Sequence, residues 1–165
     1  MARLLATAAA VAALAAPTGA SVGRVGHVTD GDTIALADGT RVRLVQIDTP
    51  EVYSGVECYG RAASRALERL LPPGTAIRLV VDPALDRVDR FGRLLRYVVR
   101  VRDGLNVNVA LVRDGVAAPY FYDGDRGRYA TLLTKLALHA RARHLGLWGA
   151  CPHTPVDFEH QVQTG

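Results

Sequence analysis

Two aspartates near the start of the sequence are placed where their carboxylates could act together. Asp32 starts one predicted strand and Asp48 ends the next, and a tight turn at residues 38–40 joins the two strands. The hairpin ends opposite the turn lie side by side, so we expect the two carboxylates to share a site. A lone aspartate here would more often cap a turn, but two hard oxygen ligands together suit Ca²⁺ or Mg²⁺.

One further carboxylate and two arginines extend this candidate site. Glu51 follows Asp48 closely, Arg43 lies in the second strand of the hairpin, and Arg93 lies at the start of a later predicted strand. A single arginine in a strand usually points to water. Two arginines beside a metal site suit a phosphate, because each guanidinium can bind two oxygens at once.

The predicted strands and helices that must position these residues follow one another in an order that indicates the fold. Three predicted strands, a helix, two strands and two helices follow one another. Five short strands with a helix between the third and the fourth match a five-stranded OB-fold barrel with three helices, which is an α+β fold dominated by a β barrel. The strands are predicted over residues 24–29, 33–37, 41–47, 75–81 and 93–101, and the helices over 57–71, 109–114 and 126–145.

Local signals add detail to the second half of the chain. Asn108 is expected to cap the short second helix. Leu147 and Trp148 should pack onto the core together with an apolar stripe of the third helix. The polar segment 152–165 is expected to fray. The stripe consists of Tyr129, Leu132, Leu133, Leu136 and Ala140.

The first 20 residues are typical of a signal peptide. Arg3 precedes an apolar run over residues 4–16, and Pro17 and small residues up to Ala20 follow, so we expect cleavage after Ala20. The apolar run is too short to span a bilayer comfortably. An Ala-rich soluble helix, a disordered tail and an uncleaved envelope anchor are the alternatives. With cleavage, the protein is expected to be secreted, without stable membrane association.

Charge and cysteine content add weaker indications. The formal charge is +4, which suits a polyanionic partner but is common among proteins of this size. An even number of cysteines behind a signal peptide suggests a disulfide between Cys58 and Cys151. Two free thiols are the alternative, and the cysteine spacing fits no metal-binding motif.

Several short motifs follow one another in a specific order along residues 24–149. They are Asp30-Gly31-Asp32-Thr33, the run from Arg43 to Glu51, Tyr59-Gly60 with Ala62-Ala63, the run from Asp89 to Arg93, the run from Asn108 to Gly115, and Gly146-Leu147-Trp148. In this order they resemble the staphylococcal nuclease family, also called thermonucleases or micrococcal nucleases. The set is far more specific than any one of its motifs.

The resemblance implies a role for each matching acidic position. Asp32 and Asp48 correspond to the carboxylates that bind calcium, and the carbonyl oxygen of Thr49 to a third protein ligand. Glu51 corresponds to the residue that positions or deprotonates the attacking water. The cofactor implied is Ca²⁺.

The resemblance also assigns the phosphate and nucleotide contacts. Arg43 and Arg93 correspond to the pair that holds the phosphate and stabilises its transition state, while Tyr120 and Tyr122 resemble the tyrosines of the nucleotide pocket. The chain departs from the family where Phe91 replaces a tyrosine and where the loop after the catalytic glutamate is short and lacks lysines. The two cysteines are absent from the staphylococcal enzyme.

The function implied is a calcium-dependent nuclease that hydrolyses phosphodiester bonds of DNA, RNA or both and leaves 3′-phosphates. The nuclease domain is expected over residues 21–150 and a C-terminal tail over 151–165. We expect a monomer with no obligate protein partner. An inactive nucleic-acid-binding module of OB-fold type is the first alternative, and a structural or envelope-associated domain is the second. Neither alternative needs both arginines and all three carboxylates.

Overall fold

A computed structural model describes residues 20–53 and 55–164 of the chain. The predicted signal peptide, residues 1–20, lies outside this part except for Ala20, where the first strand begins. In chain order the elements are β1 (Ala20–Val28), β2 (Thr33–Leu36), β3 (Arg41–Leu44), β4 (Ile47–Asp48), α1 (Gly60–Leu70), β5 (Ala76–Val80), β6 (Leu94–Arg100), α2 (Val107–Arg113), β7 (Ala118–Pro119), α3 (Ala130–Ala142) and α4 (Leu147–Ala150).

Five of the strands close into a barrel in the order β1, β2, β3, β6, β5. β3 and β6 pair in parallel, and the other barrel pairs are antiparallel. This confirms the predicted five-stranded barrel and the α+β class. The three predicted helices are present, and the short α4 follows them. No helix in the described part of the chain is long and apolar enough to span a membrane.

The core fills the barrel and continues beneath the helices. Alternate residues of β3 point inward, so Val42 and Leu44 are fully buried while Arg43 stays at the rim. Leu147 and Trp148 are buried in the same core, as the sequence predicts. The apolar interior therefore fixes which face of β3 presents Arg43.

The predicted strand over residues 41–47 is interrupted, and this interruption redirects Asp48. Gln46 has a φ of 64°, in the left-handed region, so β3 ends and the short β4 begins beyond it. The side-chain amide of Gln46 donates to the carbonyl of Asp125 at 2.8 Å and accepts from the N–H of Gly127 at 2.9 Å. These bonds hold the turn, and β4 pairs Asp48 with Ala118 of β7.

The cap predicted for the second helix is wrong by two residues. Asn106, not Asn108, is the N-cap, and its side chain accepts a hydrogen bond from the N–H of Val109. Asn108 is fully buried and instead joins the helix to the barrel. Its Oδ1 accepts from the N–H of Val98 at 2.9 Å, and its Nδ2 donates to the carbonyl of Val45 at 2.8 Å. A buried amide that bridges strands is indistinguishable from a cap in sequence.

The third helix is shorter than the predicted 126–145, and the prediction of its buried apolar stripe is partly wrong. Residues before Ala130 are held out of the helix because the N–H of Arg128 donates to Oδ2 of Asp82 at 2.7 Å. Within the helix Leu133 is buried, but Leu132 is 43% exposed and does not belong to the buried face. Ala137 and Ala140 complete that face.

The first helix begins three residues later than predicted, for a steric reason. Tyr59 has a φ of 71°, so helical geometry begins only at Gly60. A Cβ at Gly60 would lie 2.6 Å from the carbonyl oxygen of Glu51, which requires glycine there. The start of α1 therefore packs closely against the loop that carries Glu51.

The C-terminal segment does not fray as predicted but lies against the domain as far as residue 164. Thr154, Val162 and Thr164 are buried. The N–H of Phe121 donates to the carbonyl of Phe158 at 2.7 Å. The buried residues are separated by exposed polar ones, so the sequence shows no run of apolar residues that would predict packing.

A disulfide joins Cys58, just before α1, to Cys151, at the start of this C-terminal segment. The two Cα atoms are 6.0 Å apart, and the pairing is the one expected from the sequence. The bond closes a loop between residues 93 positions apart. It fixes the point at which the C-terminal segment leaves the last helix.

Removing this disulfide is expected to lower the free energy of unfolding by about 2–4 kcal/mol, because the loop that it closes is long. The variant with both Cys58→Ser and Cys151→Ser is compared with the oxidised wild type by urea denaturation. A dithiol reductant should destabilise the wild type and leave the variant unchanged. Equal stability of the oxidised wild type and the variant would contradict this expectation.

Candidate active site

Arg43 lies between the two aspartates predicted to share a site. It is paired in register with Thr33, the neighbour of Asp32, and this pairing places its guanidinium beside both carboxylates. Its Nη1 donates to Oδ1 of Asp32, and its Nη2 donates to Oδ1 of Asp48 at 2.5 Å. The side chains of Arg43, Asp32 and Asp48 are only 13%, 3% and 5% exposed. The structure therefore brings the two carboxylates together, as the hairpin argument predicts.

The second oxygen of each carboxylate is held from behind by the chain. Oδ2 of Asp32 accepts from the N–H and from the hydroxyl of Thr49, at 3.1 and 3.3 Å. Oδ2 of Asp48 accepts from the N–H of Val162 at 2.8 Å. A Cβ at Gly31 would lie 2.5 Å from the Thr49 hydroxyl, so this approach needs glycine. Each carboxylate thus has a fixed orientation and turns Oδ1 toward Arg43.

The site carries more negative charge than Arg43 balances. Burial and the charge of Asp32 together raise the pKa of Asp48 to about 6. The same two causes raise the pKa of Asp30 to about 6. Three carboxylates near one guanidinium favour a second cation.

The chemistry of the donors decides which cation fits. The available side-chain ligands are carboxylate oxygens, which suit the hard cations Ca²⁺ and Mg²⁺. In residues 20–53 and 55–164, no three side chains of His, Cys, Asp or Glu converge as a metal centre. Oδ1 of Asp32 and Oδ1 of Asp48 would be the protein's side-chain ligands. A site of this kind depends on water and substrate for its remaining ligands.

Arg93 is held by Asp89 and is linked to Asp32 through the hydroxyl of Thr33. Its Nε donates to Oδ2 of Asp89 at 2.6 Å, and its Nη1 donates to the hydroxyl of Thr33 at 3.4 Å. The Thr33 hydroxyl in turn donates to Oδ1 of Asp32 at 3.0 Å. Although partial burial raises the pKa of Asp89, the hydrogen bonds from Arg93 outweigh it and lower that pKa below its ordinary value. Asp89 is therefore an ionised carboxylate that orients Arg93.

A cleft of about 380 Å³ opens beside the two arginines. Both predicted tyrosines line it, and so does Phe91. The rings of Tyr120 and Tyr122 meet edge to face with centroids 6.3 Å apart, and Tyr122 is 62% exposed. Exposed aromatic faces next to guanidinium groups suit a nucleotide, since a base can stack while its phosphate is bound.

Glu51 is the one predicted catalytic residue that does not join the network. Its side chain is exposed, and its Oε1 accepts from the N–H groups of Val52 and Tyr53 at 2.7 and 3.0 Å. In the described part of the chain it makes no hydrogen bond to the arginines or to the buried aspartates. The carboxylate is thus turned toward its own loop.

Four groups near the site were not predicted as functional: Asp30, Thr33, Asp89 and the main-chain N–H of Val162. The first three lie inside the motifs quoted above, so motif membership was a usable signal. A main-chain N–H leaves no trace in residue type, and no sequence pattern could have identified Val162.

Comparisons with known proteins find one family and several relatives that are similar to this chain. The model of a family described as staphylococcal nuclease homologue matches residues 41–150. A protein of Escherichia coli named uncharacterized endonuclease is 37% identical over 144 residues, which cover 84% of this chain and 85% of the relative. The thermonuclease of Staphylococcus intermedius is 35% identical over 130 residues, covering 75% of this chain and 74% of the relative.

Proposed function

The chain belongs to the staphylococcal nuclease family, and from this membership we propose that it is a calcium-dependent nuclease that cleaves DNA, RNA or both and leaves 3′-phosphates. The observation that carries the proposal is the buried pair of Asp32 and Asp48 bridged by Arg43. Arg93 and an aromatic cleft lie next to that pair. An inactive binding module would have no use for two buried carboxylates at this position.

Asp32 and Asp48, with the carbonyl oxygen of Thr49, would hold the ion, and bound Ca²⁺ would withdraw charge from a phosphate oxygen. In the structure the guanidinium of Arg43 donates hydrogen bonds to the carboxylates of both Asp32 and Asp48. It can turn a donor toward a phosphate once the charge of those carboxylates is balanced in another way. Arg93, oriented by Asp89, provides a second preorganised guanidinium for the charge that builds up in the transition state.

From the family resemblance we propose that Glu51 positions or deprotonates the attacking water. Its carboxylate must first leave the N–H groups of Val52 and Tyr53, to which it is bound in the structure. The side chain is exposed, so this rotation has no packing to overcome. Tyr120 and Tyr122 are proposed to stack against the base next to the scissile phosphate.

The test is a cleavage assay on the purified protein with end-labelled single- and double-stranded DNA and RNA. Cleavage should need Ca²⁺, stop with a chelator, and yield ends that a 3′-phosphatase makes extendable. An Asp32→Asn variant controls for contaminating nucleases. Binding to the labelled strands without cleavage would favour the inactive module and reject the proposed function.

Calcium affinity in the absence of substrate is expected to be low, with a Kd of roughly 10⁻⁴–10⁻³ M, because few protein ligands contribute to the site. A titration of ¹⁵N-labelled protein with CaCl₂, followed by amide chemical shifts, measures it. A nucleotide with a 3′-phosphate should tighten the binding. A micromolar Kd without nucleotide would contradict this expectation.

We further propose that the protein is exported, with residues 1–20 as a cleaved signal peptide, 21–150 as the nuclease domain and 151–165 as its tail. The support is the composition of the N-terminus and the disulfide, a bond that persists in oxidising compartments. The exported form is proposed to be a monomer whose partner is its nucleic acid substrate. N-terminal sequencing of protein from the culture medium tests this, and a start at Met1 would reject cleavage.

A further inference from the structure

The C-terminal segment reaches the centre of the candidate active site. Beyond Cys151 the chain returns along the domain, and the N–H of Val162 donates to Oδ2 of Asp48 at 2.8 Å. This is the only hydrogen bond to that oxygen from the described residues, since Arg43 contacts Oδ1. Asp48 therefore depends on a residue 114 positions later in the chain for half of its partners.

The donor cannot easily move away from the carboxylate. Val162 is buried, and its side chain belongs to the main hydrophobic core. Releasing its N–H would expose that side chain and leave a buried carboxylate oxygen without a partner, which costs more than the bond alone. The flanking residues Gln161 and Gln163 are exposed, so Val162 is the point at which this segment is fixed.

The segment is also anchored on both sides of Val162. Before it, Phe158 accepts the N–H of Phe121 at 2.7 Å. After it, the hydroxyl of Thr164 donates to the carbonyl of Cys58 at 2.7 Å. Cys58 thus holds both ends of the segment, since its sulfur is bonded to Cys151.

We propose that the C-terminal segment contributes to the calcium site through one group, the main-chain N–H of Val162, which is a positioning group for Asp48. The bond fixes Oδ2 and turns Oδ1 toward the space that Arg43 and the ion share. The inference rests on the proposed function, because it assigns Asp48 as a calcium ligand. Groups that orient metal ligands in this way typically contribute 10–100-fold to metal affinity.

Val162→Pro removes the N–H and keeps an apolar side chain. The variant should bind calcium at least about 10-fold more weakly. Its cleavage rate should return toward that of the wild type at saturating calcium, because the chemical groups are intact. The matched control is Gln163→Pro, at a position whose N–H makes no hydrogen bond to the described residues. The control should keep the wild-type calcium affinity.

Hydrogen exchange in the metal-free protein tests the same hydrogen bond without relying on the fold of Val162→Pro. In calcium-free wild-type protein, the amide hydrogen of Val162 should exchange with solvent more slowly than that of Gln163. Asp48→Asn weakens the acceptor and should speed that exchange. Near-ultraviolet circular dichroism of each variant checks that the domain is folded.

The outcomes separate the two proposals. If the wild type neither binds calcium nor cleaves, the proposed function fails and the inference fails with it. If the wild type does both and folded Val162→Pro matches Gln163→Pro in calcium affinity, only the inference is overturned. Equal exchange rates for Val162 and Gln163 in the wild type would also overturn it. Weaker calcium binding by Val162→Pro alone, with slow exchange at Val162, supports it.

Discussion

Replacing Arg93 by alanine is expected to slow cleavage by about 10²–10³-fold, or roughly 3–4 kcal/mol of activation free energy. The guanidinium is held by Asp89 and Thr33 before substrate arrives, so no energy is spent on orienting it during the reaction. The side chain is 20% exposed, and its hydrogen bonds are polar contacts to Asp89 and Thr33 outside the apolar core. Stability should therefore change far less than the rate.

Single-turnover rates at saturating calcium measure this effect on the chemical step. Arg93→Lys is the informative control, since it keeps the charge but loses the fork that binds two oxygens at once. Asp89→Asn keeps Arg93 and weakens its orientation, so its rate should fall between the wild type and Arg93→Ala. Turnover by Arg93→Ala close to that of the wild type would remove Arg93 from the mechanism.

Replacing Arg43 by methionine is expected to lower the free energy of unfolding in chelator by about 3–5 kcal/mol, because two buried carboxylates lose their shared partner. Asp32 and Asp48 are almost inaccessible to water, so solvent cannot replace the guanidinium. Calcium should restore part of the stability, since the ion balances the same charges. Cleavage should also be lost, because Arg43 is one of the two groups proposed to bind the phosphate.

Urea denaturation of wild type and variant, each with chelator and with millimolar calcium, measures both effects. Arg113→Met is the matched control: its ion pair with Asp114 is exposed, and such a pair contributes about 0–1 kcal/mol. If Arg43→Met and Arg113→Met lose equal stability in chelator, the buried pair does not depend on Arg43. A stability of Arg43→Met that is independent of calcium would argue against a shared site.

The barrel and the pairing of the aspartates could be predicted because both follow from periodicity. The order of strands and helices is visible in local sequence patterns, and a hairpin with a known turn must bring its open ends together. The argument succeeds for Asp32 and Asp48 although the second strand does not run straight to Asp48. The break at Gln46 moves Asp48 onto a pairing with β7 while keeping it beside Arg43.

The features that were mispredicted depend on contacts between distant parts of the chain. Nothing near Asn108 in sequence indicates that its amide bridges Val98 and Val45. The start of α3 depends on Asp82, which lies far earlier in the chain. The roles of the site residues as calcium ligands, phosphate-binding groups and water-positioning group all remain predictions, since they concern species that bind to the finished site.

The parallel pairing of β3 with β6 determines when the enzyme can first become active during its synthesis. Arg43 pairs with Leu95, so the cleft that Arg43 and Arg93 line can form only after the chain has been synthesised well beyond α1. Contacts between such distant residues form slowly, because a long loop must close first. The orientation of Asp48 additionally depends on the N–H of Val162, which is synthesised later still. A nascent chain that has exposed only its acidic hairpin therefore has no assembled site.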